Sequence, residues 1–147
     1  MTRNDINLIY DSLKKIDRAY EYWAAKHGLT LYELDVYYTF IDGKKDKITQ
    51  KDLCDCLYAP KTSVNSVIKK QIETGRIEMQ VNPDNKREKI IVLTDRGRKF
   101  AEEIIYPLFK CEEEAINSFT AGEIDAVVNI QTKFANTFMD KVRKHNE

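Results

Sequence analysis

The stretch Lys61-Thr-Ser-Val-Asn-Ser-Val-Ile-Lys-Lys70 decides how this chain is read. Within it and just beyond, Val64, Val67, Ile68 and Ile72 recur at the spacing of one buried helix face. At about 100° per residue, the opposite face carries Thr62, Ser66, Lys69 and Lys70, with Ser63 and Asn65 on its flanks. An ordinary solvated face favours Glu and Lys, which are good helix formers. Short hydroxyls and an amide in the first turns, with lysines behind them, suit a helix that enters a nucleic-acid groove. A polar face in water is the competing reading of this helix taken alone, so its neighbours must decide.

On the N-terminal side, Thr49-Gln-Lys-Asp52 places a cap and an acid in a first turn, and Leu53 and Leu57 supply an apolar side. Ala59-Pro60 breaks that short helix, with Pro60 suited to the start of the next. Two short helices around a tight turn make a helix-turn-helix, whose second member is the opening stretch, closed by Thr74-Gly75. From Arg76 the period becomes two. Ile77, Met79 and Val81 predict a strand with one buried face. Asn82-Pro-Asp-Asn85 is a concentrated turn signal with Lys86 and Arg87 beside it, and Lys89-Ile-Ile-Val-Leu93 predicts the returning strand. Helix, turn, helix and a basic-tipped hairpin make a winged helix.

The flanks are helical. Ile6, Ile9, Leu13, Ile16, Tyr20 and Trp23 predict a long first helix with Gly28 at its end. Thr30-Leu-Tyr-Glu33 is a capping box opening a second helix through Leu34, Tyr38 and Ile41, which stops at Gly43 before a polar loop. Thr94 caps a helix carrying Phe100, Ile104, Leu108, Phe109, Ala115, Ile116 and Phe119, with a kink expected at Pro107. Thr120-Ala-Gly-Glu123 is a further capping box, starting a last helix with Ile124, Val127, Val128, Phe134, Phe138 and Val142. These apolar stripes exceed what so small a centre can cover, which predicts a twofold homodimer. The expected fold is mainly α (α+β). It is a single domain over residues 1–147, with the winged helix at 44–98 between dimerisation helices at 1–43 and 99–147.

Formal net charge is zero, yet residues 44–98 hold 13 Lys and Arg against 8 Asp and Glu, while residues 1–43 and 99–147 are each net acidic. A basic centre between acidic ends orients that centre toward a polyanion. No apolar run approaches the roughly 20 residues of a membrane span, and the N-terminus lacks an apolar signal core, so a cytoplasmic protein without a membrane partner is expected. Cys54, Cys56 and Cys111 match neither a disulfide framework nor a zinc spacing, and His27 and His145 read as surface residues near helix ends. No nucleophile–base pair, metal-ligand cluster or glycine-rich phosphate loop is present, so neither an enzyme nor a cofactor is expected.

On these residues the chain resembles the MarR family of winged helix-turn-helix transcriptional regulators, over essentially its whole length. The most specific part is Asn85-Lys-Arg87 followed by Val92-Leu-Thr94-Asp-Arg-Gly97. Family wings show Asp-x-Arg, a strand, then Leu-Thr-x-x-Gly opening a long helix, and Arg87, Leu93, Thr94 and Gly97 match at the same spacing. Asn85 stands where the family usually has the Asp that helps fix the wing arginine. Gly75-Arg-Ile77 also resembles the family's ending to the recognition helix.

The resemblance implies a homodimeric repressor on a pseudo-palindromic operator, with Lys61–Glu73 in the major groove and the wing in the adjacent minor groove. Thr62, Ser63, Asn65 and Ser66 then face base edges or phosphates. Lys61, Lys69 and Lys70 neutralise phosphates. Asn85, Lys86 and Arg87 form the wing contact, with Arg87 inserted where a narrow minor groove concentrates negative potential. It further implies release of DNA by a small aromatic or anionic effector, for which Tyr20, Trp23, Tyr37, Tyr38 and Tyr106 are the candidate pocket residues. A winged helix serving protein–protein contact is the alternative. It would call for an apolar or acidic outer face at 61–70.

Overall fold

The computed structural model describes residues 2–145. In chain order it forms α1 (Arg3–Lys26), α2 (Leu31–Asp42), β1 (Lys47–Thr49), α3 (Gln50–Leu57), α4 (Lys61–Glu73), β2 (Ile77–Val81), β3 (Lys89–Leu93), α5 (Asp95–Ile116) and α6 (Ala121–His145). These divide into two compact units, Met1–Leu108 and Phe109–Glu147, the division falling within α5 just after Pro107.

The first unit holds the core. Leu34, Val36, Tyr37 and Phe40 of α2 meet Leu53 of α3, Val64 and Ile68 of α4, and Ile91 of β3 as fully or almost fully buried side chains. Each such Leu or Ile contributes roughly 1.5–3 kcal/mol relative to exposure, so this cluster decides where the helix-turn-helix sits. The expected caps form. The Glu33 N–H donates to Thr30 Oγ1 at 3.3 Å and the Thr30 N–H to Glu33 Oε2 at 2.7 Å. The Asp52 N–H donates to Thr49 Oγ1 at 3.0 Å. The turn between α3 and α4 is made by Tyr58 in the left-handed region at φ 47, where a glycine is usual.

The sheet is antiparallel with the order β1-β3-β2. The sequence pattern predicts no strand at β1, only a polar loop and the Thr49 cap, yet Ile48 lies opposite Ile91 and makes β3 the central strand. On the other side Met79 pairs with Ile91 and Gln80 with Ile90. The expected buried face of β2 does not extend along the strand: Ile77 is buried, but Met79 and Val81 are 39% and 51% exposed, because the hairpin runs out beyond the core. On α4 the buried stripe also differs. Ile72 is 38% exposed, and Gln71 takes the inward place at 1%.

The second unit is the end of α5, a turn and α6. Phe119 lies in the turn, three residues after a helix that stops at Ile116. Thr120 and Glu123 form the expected box, with the Thr120 N–H donating to Glu123 Oε2 at 2.8 Å and the Glu123 N–H to Thr120 Oγ1 at 3.3 Å. None of the 25 residues of α6 is buried, and Ile124, Val127, Val128, Ile130, Phe138 and Met139 are exposed.

In the first unit, Asp35 of α2 is desolvated and feels the Asp17 charge, which pushes its carboxyl up from 3.8 to about 6. A raised acid holds its proton more tightly in the folded state, so its contribution to stability falls as pH rises from about 4 to 6. Asp35→Asn should therefore unfold at higher urea than wild type at pH 7.5, and the gain should vanish by pH 4. An equal gain at both pH values would refute this assignment.

Candidate nucleic-acid interface

α4 presents the expected polar face. Lys61, Thr62, Asn65, Ser66, Lys69 and Lys70 are exposed, and Ser63 is half-buried on the flank. Pro60, at the N-cap, supplies no side-chain cap, so the first turn retains unsatisfied N–H groups and the positive end of the helix dipole.

Two of these side chains are already engaged. Asn65 Oδ1 accepts from Gln50 Nε2 of α3. Bidentate pairing with adenine needs both the amide oxygen and the amide nitrogen, so Asn65 offers its Nδ2 donors while this bond holds. Lys70 Nζ lies 2.8 Å from Glu33 Oε1, a carboxylate that is almost wholly buried. Lys70 thus reaches back to α2, while Lys69 is exposed on the outer face.

Glu33 belongs to a buried network that seats α4. Gln71 Nε2 donates to Glu33 Oε1 at 2.8 Å, and the Tyr37 hydroxyl donates to Gln71 Oε1 at 2.5 Å. Burial alone would raise the Glu33 carboxyl, but hydrogen bonds from Lys70 and Thr30 outweigh it and hold the group below its ordinary value. Burial pushes the Tyr37 hydroxyl up to about 12, against the opposing effect of Arg76, so it remains a donor. The Tyr37 ring meets Phe100 edge-on at 5.3 Å, and the Arg76 guanidinium lies 3.5 Å over the Phe100 ring. Hydrogen bonds and ring contacts therefore run from α2 through α4 to the base of the wing.

The wing tip is held by its own side chains. Asn82 Oδ1 accepts the Asp84 N–H at 3.0 Å, and Asn82 Nδ2 donates to Glu88 Oε2 at 2.6 Å. Asn85 Oδ1 accepts the Arg87 N–H at 3.2 Å. An oxygen at this position is what Asn shares with Asp, so the departure from the expected Asp leaves the backbone at Arg87 fixed. Asn85, Lys86 and Arg87 are all exposed. Between this tip and α3 runs a groove of about 380 Å³, lined by both elements and by Lys61.

Residues 39–97 match the family model described as "Winged helix DNA-binding domain". An uncharacterized HTH-type transcriptional regulator of Bacillus subtilis (strain 168), YwoH, is 32% identical over 87 residues. That match covers 59% of this chain and 63% of the relative's length. Among solved structures, NMB1585, a MarR family regulator from Neisseria meningitidis, superposes with a TM-score of 0.80 at 20% identity over 100% of both chains. The MepR–DNA complex of S. aureus gives 0.75 at 17% identity over 90% of this chain and 96% of that one. The chain thus has the fold of these MarR-family structures, with a winged helix DNA-binding domain over residues 39–97.

The Leu93-Thr-x-x-Gly97 sequence has a physical cause here. Thr94 Oγ1 donates to the Gly75 and Arg76 carbonyl oxygens at 2.9 and 3.1 Å and accepts the Gly97 N–H at 3.0 Å. A Cβ on Gly97 would stand 1.9 Å from the Arg76 carbonyl oxygen, so only glycine lets α5 start against the end of the recognition-helix turn.

Of the candidate effector residues, the MarR fold takes Tyr37 out of the group and into the core. Trp23 donates its Nε1–H to the Ile104 carbonyl at 3.2 Å, and its ring lies 5.0 Å from that of His27. His27 is accordingly not the surface group expected. Its Nε2 is buried and makes no hydrogen bond among the described residues. Tyr20 and Tyr38 are half-buried, and Tyr106 is exposed. The sequence reading missed Gln50, which holds Asn65, and Gln71. It also missed Tyr58, 97% exposed in the turn of the helix-turn-helix. A polar residue beside an apolar stripe signals burial only when its partner is known, and Glu33 lies 38 positions away.

Gln71→Leu would leave the Tyr37 hydroxyl and Glu33 each short of a partner. An unsatisfied buried group costs about 1–3 kcal/mol, so urea unfolding should show a loss in that range. Adding Tyr37→Phe should recover part of it. A double variant whose loss equals the sum of the two single losses would show that the pair does not interact.

Proposed function

We propose that this chain is a sequence-specific transcriptional regulator, a cytoplasmic repressor that binds a pseudo-palindromic operator as a homodimer. α4 lies in the major groove and the wing in the adjacent minor groove. The observation that carries this reading is the pairing of two surfaces on one unit. α4 exposes short donors and acceptors with cations behind them, and the wing tip exposes Lys86 and Arg87. Thr62, Ser63 and Ser66 reach base edges or phosphates, Asn65 donates through its amide nitrogen, and Lys61 and Lys69 contact phosphates. Lys70 serves first to seat the helix on Glu33. Arg87 enters the minor groove from a backbone that Asn85 holds.

The dimer reading draws support from each unit separately. In the first, α1 exposes Leu8, Ile9 and Ile16. In the second, α6 exposes Ile124, Val127, Val128, Ile130, Phe138 and Met139. Apolar area of this extent is what a second copy buries in a twofold interface. Release by a small aromatic or anionic effector is part of the same proposal, with Tyr20, Trp23, Tyr38 and Tyr106 as its candidate contacts. An outer face of hydroxyls and lysines on α4 fits DNA better than a protein partner.

Arg87→Ala should weaken binding to the selected operator by about 1–3 kcal/mol, or roughly tenfold and more, with the urea midpoint unchanged. Near-wild-type affinity in a gel-shift titration would remove Arg87 from the interface. Affinity should also fall steeply with salt, because each neutralised phosphate contributes a log–log slope of about −0.9. A flat response between low and physiological salt would show that the basic face is not the contact surface.

A further inference from the structure

We propose that the groove between α3 and the wing is a phosphate-binding site. About 380 Å³ in volume, it is lined on one side by Lys51 and Asp55 of α3 and on the other by Arg87, Glu88 and Lys89, with Lys61 at its end. The charges there are not equivalent. Lys51 Nζ pairs with Asp55 at 3.3 Å, and Glu88 accepts from Asn82 Nδ2 at 2.6 Å. Each carboxylate therefore already has a partner. Lys61, Arg87 and Lys89 make no side-chain hydrogen bond or ion pair among the described residues, and they line the groove from two segments of the chain, the start of α4 and the wing. Cations brought together this way repel one another and gain by sharing one multivalent oxyanion.

Lys61 adds a second term, because it is the first residue of a helix whose N-cap provides no side-chain bond. The helix dipole and the unsatisfied N–H groups of that turn favour an anion beside it. Gln50 and Asn85 also line the groove. A phosphate satisfies this set better than a monocarboxylate, since it has more oxygens to share among Lys61, Arg87 and Lys89. A free phosphate or phosphate ester and a DNA phosphodiester present the same chemistry. The second source rests on the regulatory reading above, and the first does not.

The two sources are separated by one set of measurements on the full chain. Inorganic phosphate is exchanged for chloride at constant ionic strength while backbone amide shifts are followed by NMR, in wild type, Lys89→Gln and Lys61→Gln. Saturating shifts confined to the groove, with the dissociation constant raised about tenfold in each variant, establish a free-phosphate site. If free phosphate gives no saturation but Lys89→Gln lowers the steepness of the DNA salt dependence by about one, the groove takes a backbone phosphate only. Linear shifts together with an unchanged salt slope overturn the proposal. Absence of any DNA binding defeats the regulatory reading and leaves the phosphate titration to decide the groove alone.

Discussion

The recognition surface depends on a single buried carboxylate. Glu33 is almost wholly buried and ionised, a state that costs several kcal/mol unless the charge is paired and hydrogen-bonded. Its partners supply that: the Thr30 N–H on one oxygen, and Gln71 and Lys70 on the other. Two of the three come from α4. The recognition helix is thus fixed in rotation as well as in depth, because turning it would strand a charge in the core. Apolar contacts through Val64 and Ile68 alone would tolerate small slips between near-equivalent packings. Polar partners do not.

The same group explains why the outer face can use such short side chains. Thr62, Ser63 and Ser66 have little reach, so they are useful only on a helix held at a set height and angle. Tyr37 extends the constraint, since it donates to Gln71 while its ring packs on Phe100, which in turn lies under Arg76. Arg76 is the residue before β2. One contiguous set of contacts therefore positions both α4 and the base of the wing.

Local signals were legible in the sequence, and long-range ones were not. The capping boxes at Thr30 and Thr120, the Thr49 cap, the turn at Asn82 and the Thr94–Gly97 signature each span a few residues, and each forms as expected. The failures share one cause. Helical period admits either Gln71 or Ile72 on the inner face, and only the distant Glu33 selects Gln71. Alternation in β2 marks a face but not whether anything covers it, so Met79 and Val81 emerge exposed. β1 is three residues long and exists only through its pairing with β3. An aromatic at helical spacing cannot show whether it lines a pocket or fills a core, and Tyr37 fills the core. At the interface, the exposed positions of α4 and the wing tip were legible from period and turn chemistry. The bonds that tie Asn65 to Gln50 and Lys70 to Glu33 were not.

The clamp at the base of the wing has a mechanical consequence. Thr94 bonds two successive carbonyls beyond the recognition helix, and Gly97 lets α5 begin in direct backbone contact with one of them. The foot of the hairpin and the first turn of α5 are therefore joined by backbone contact rather than by a loop. A tilt at such a joint is geometrically larger at the far end of the hairpin than at its foot.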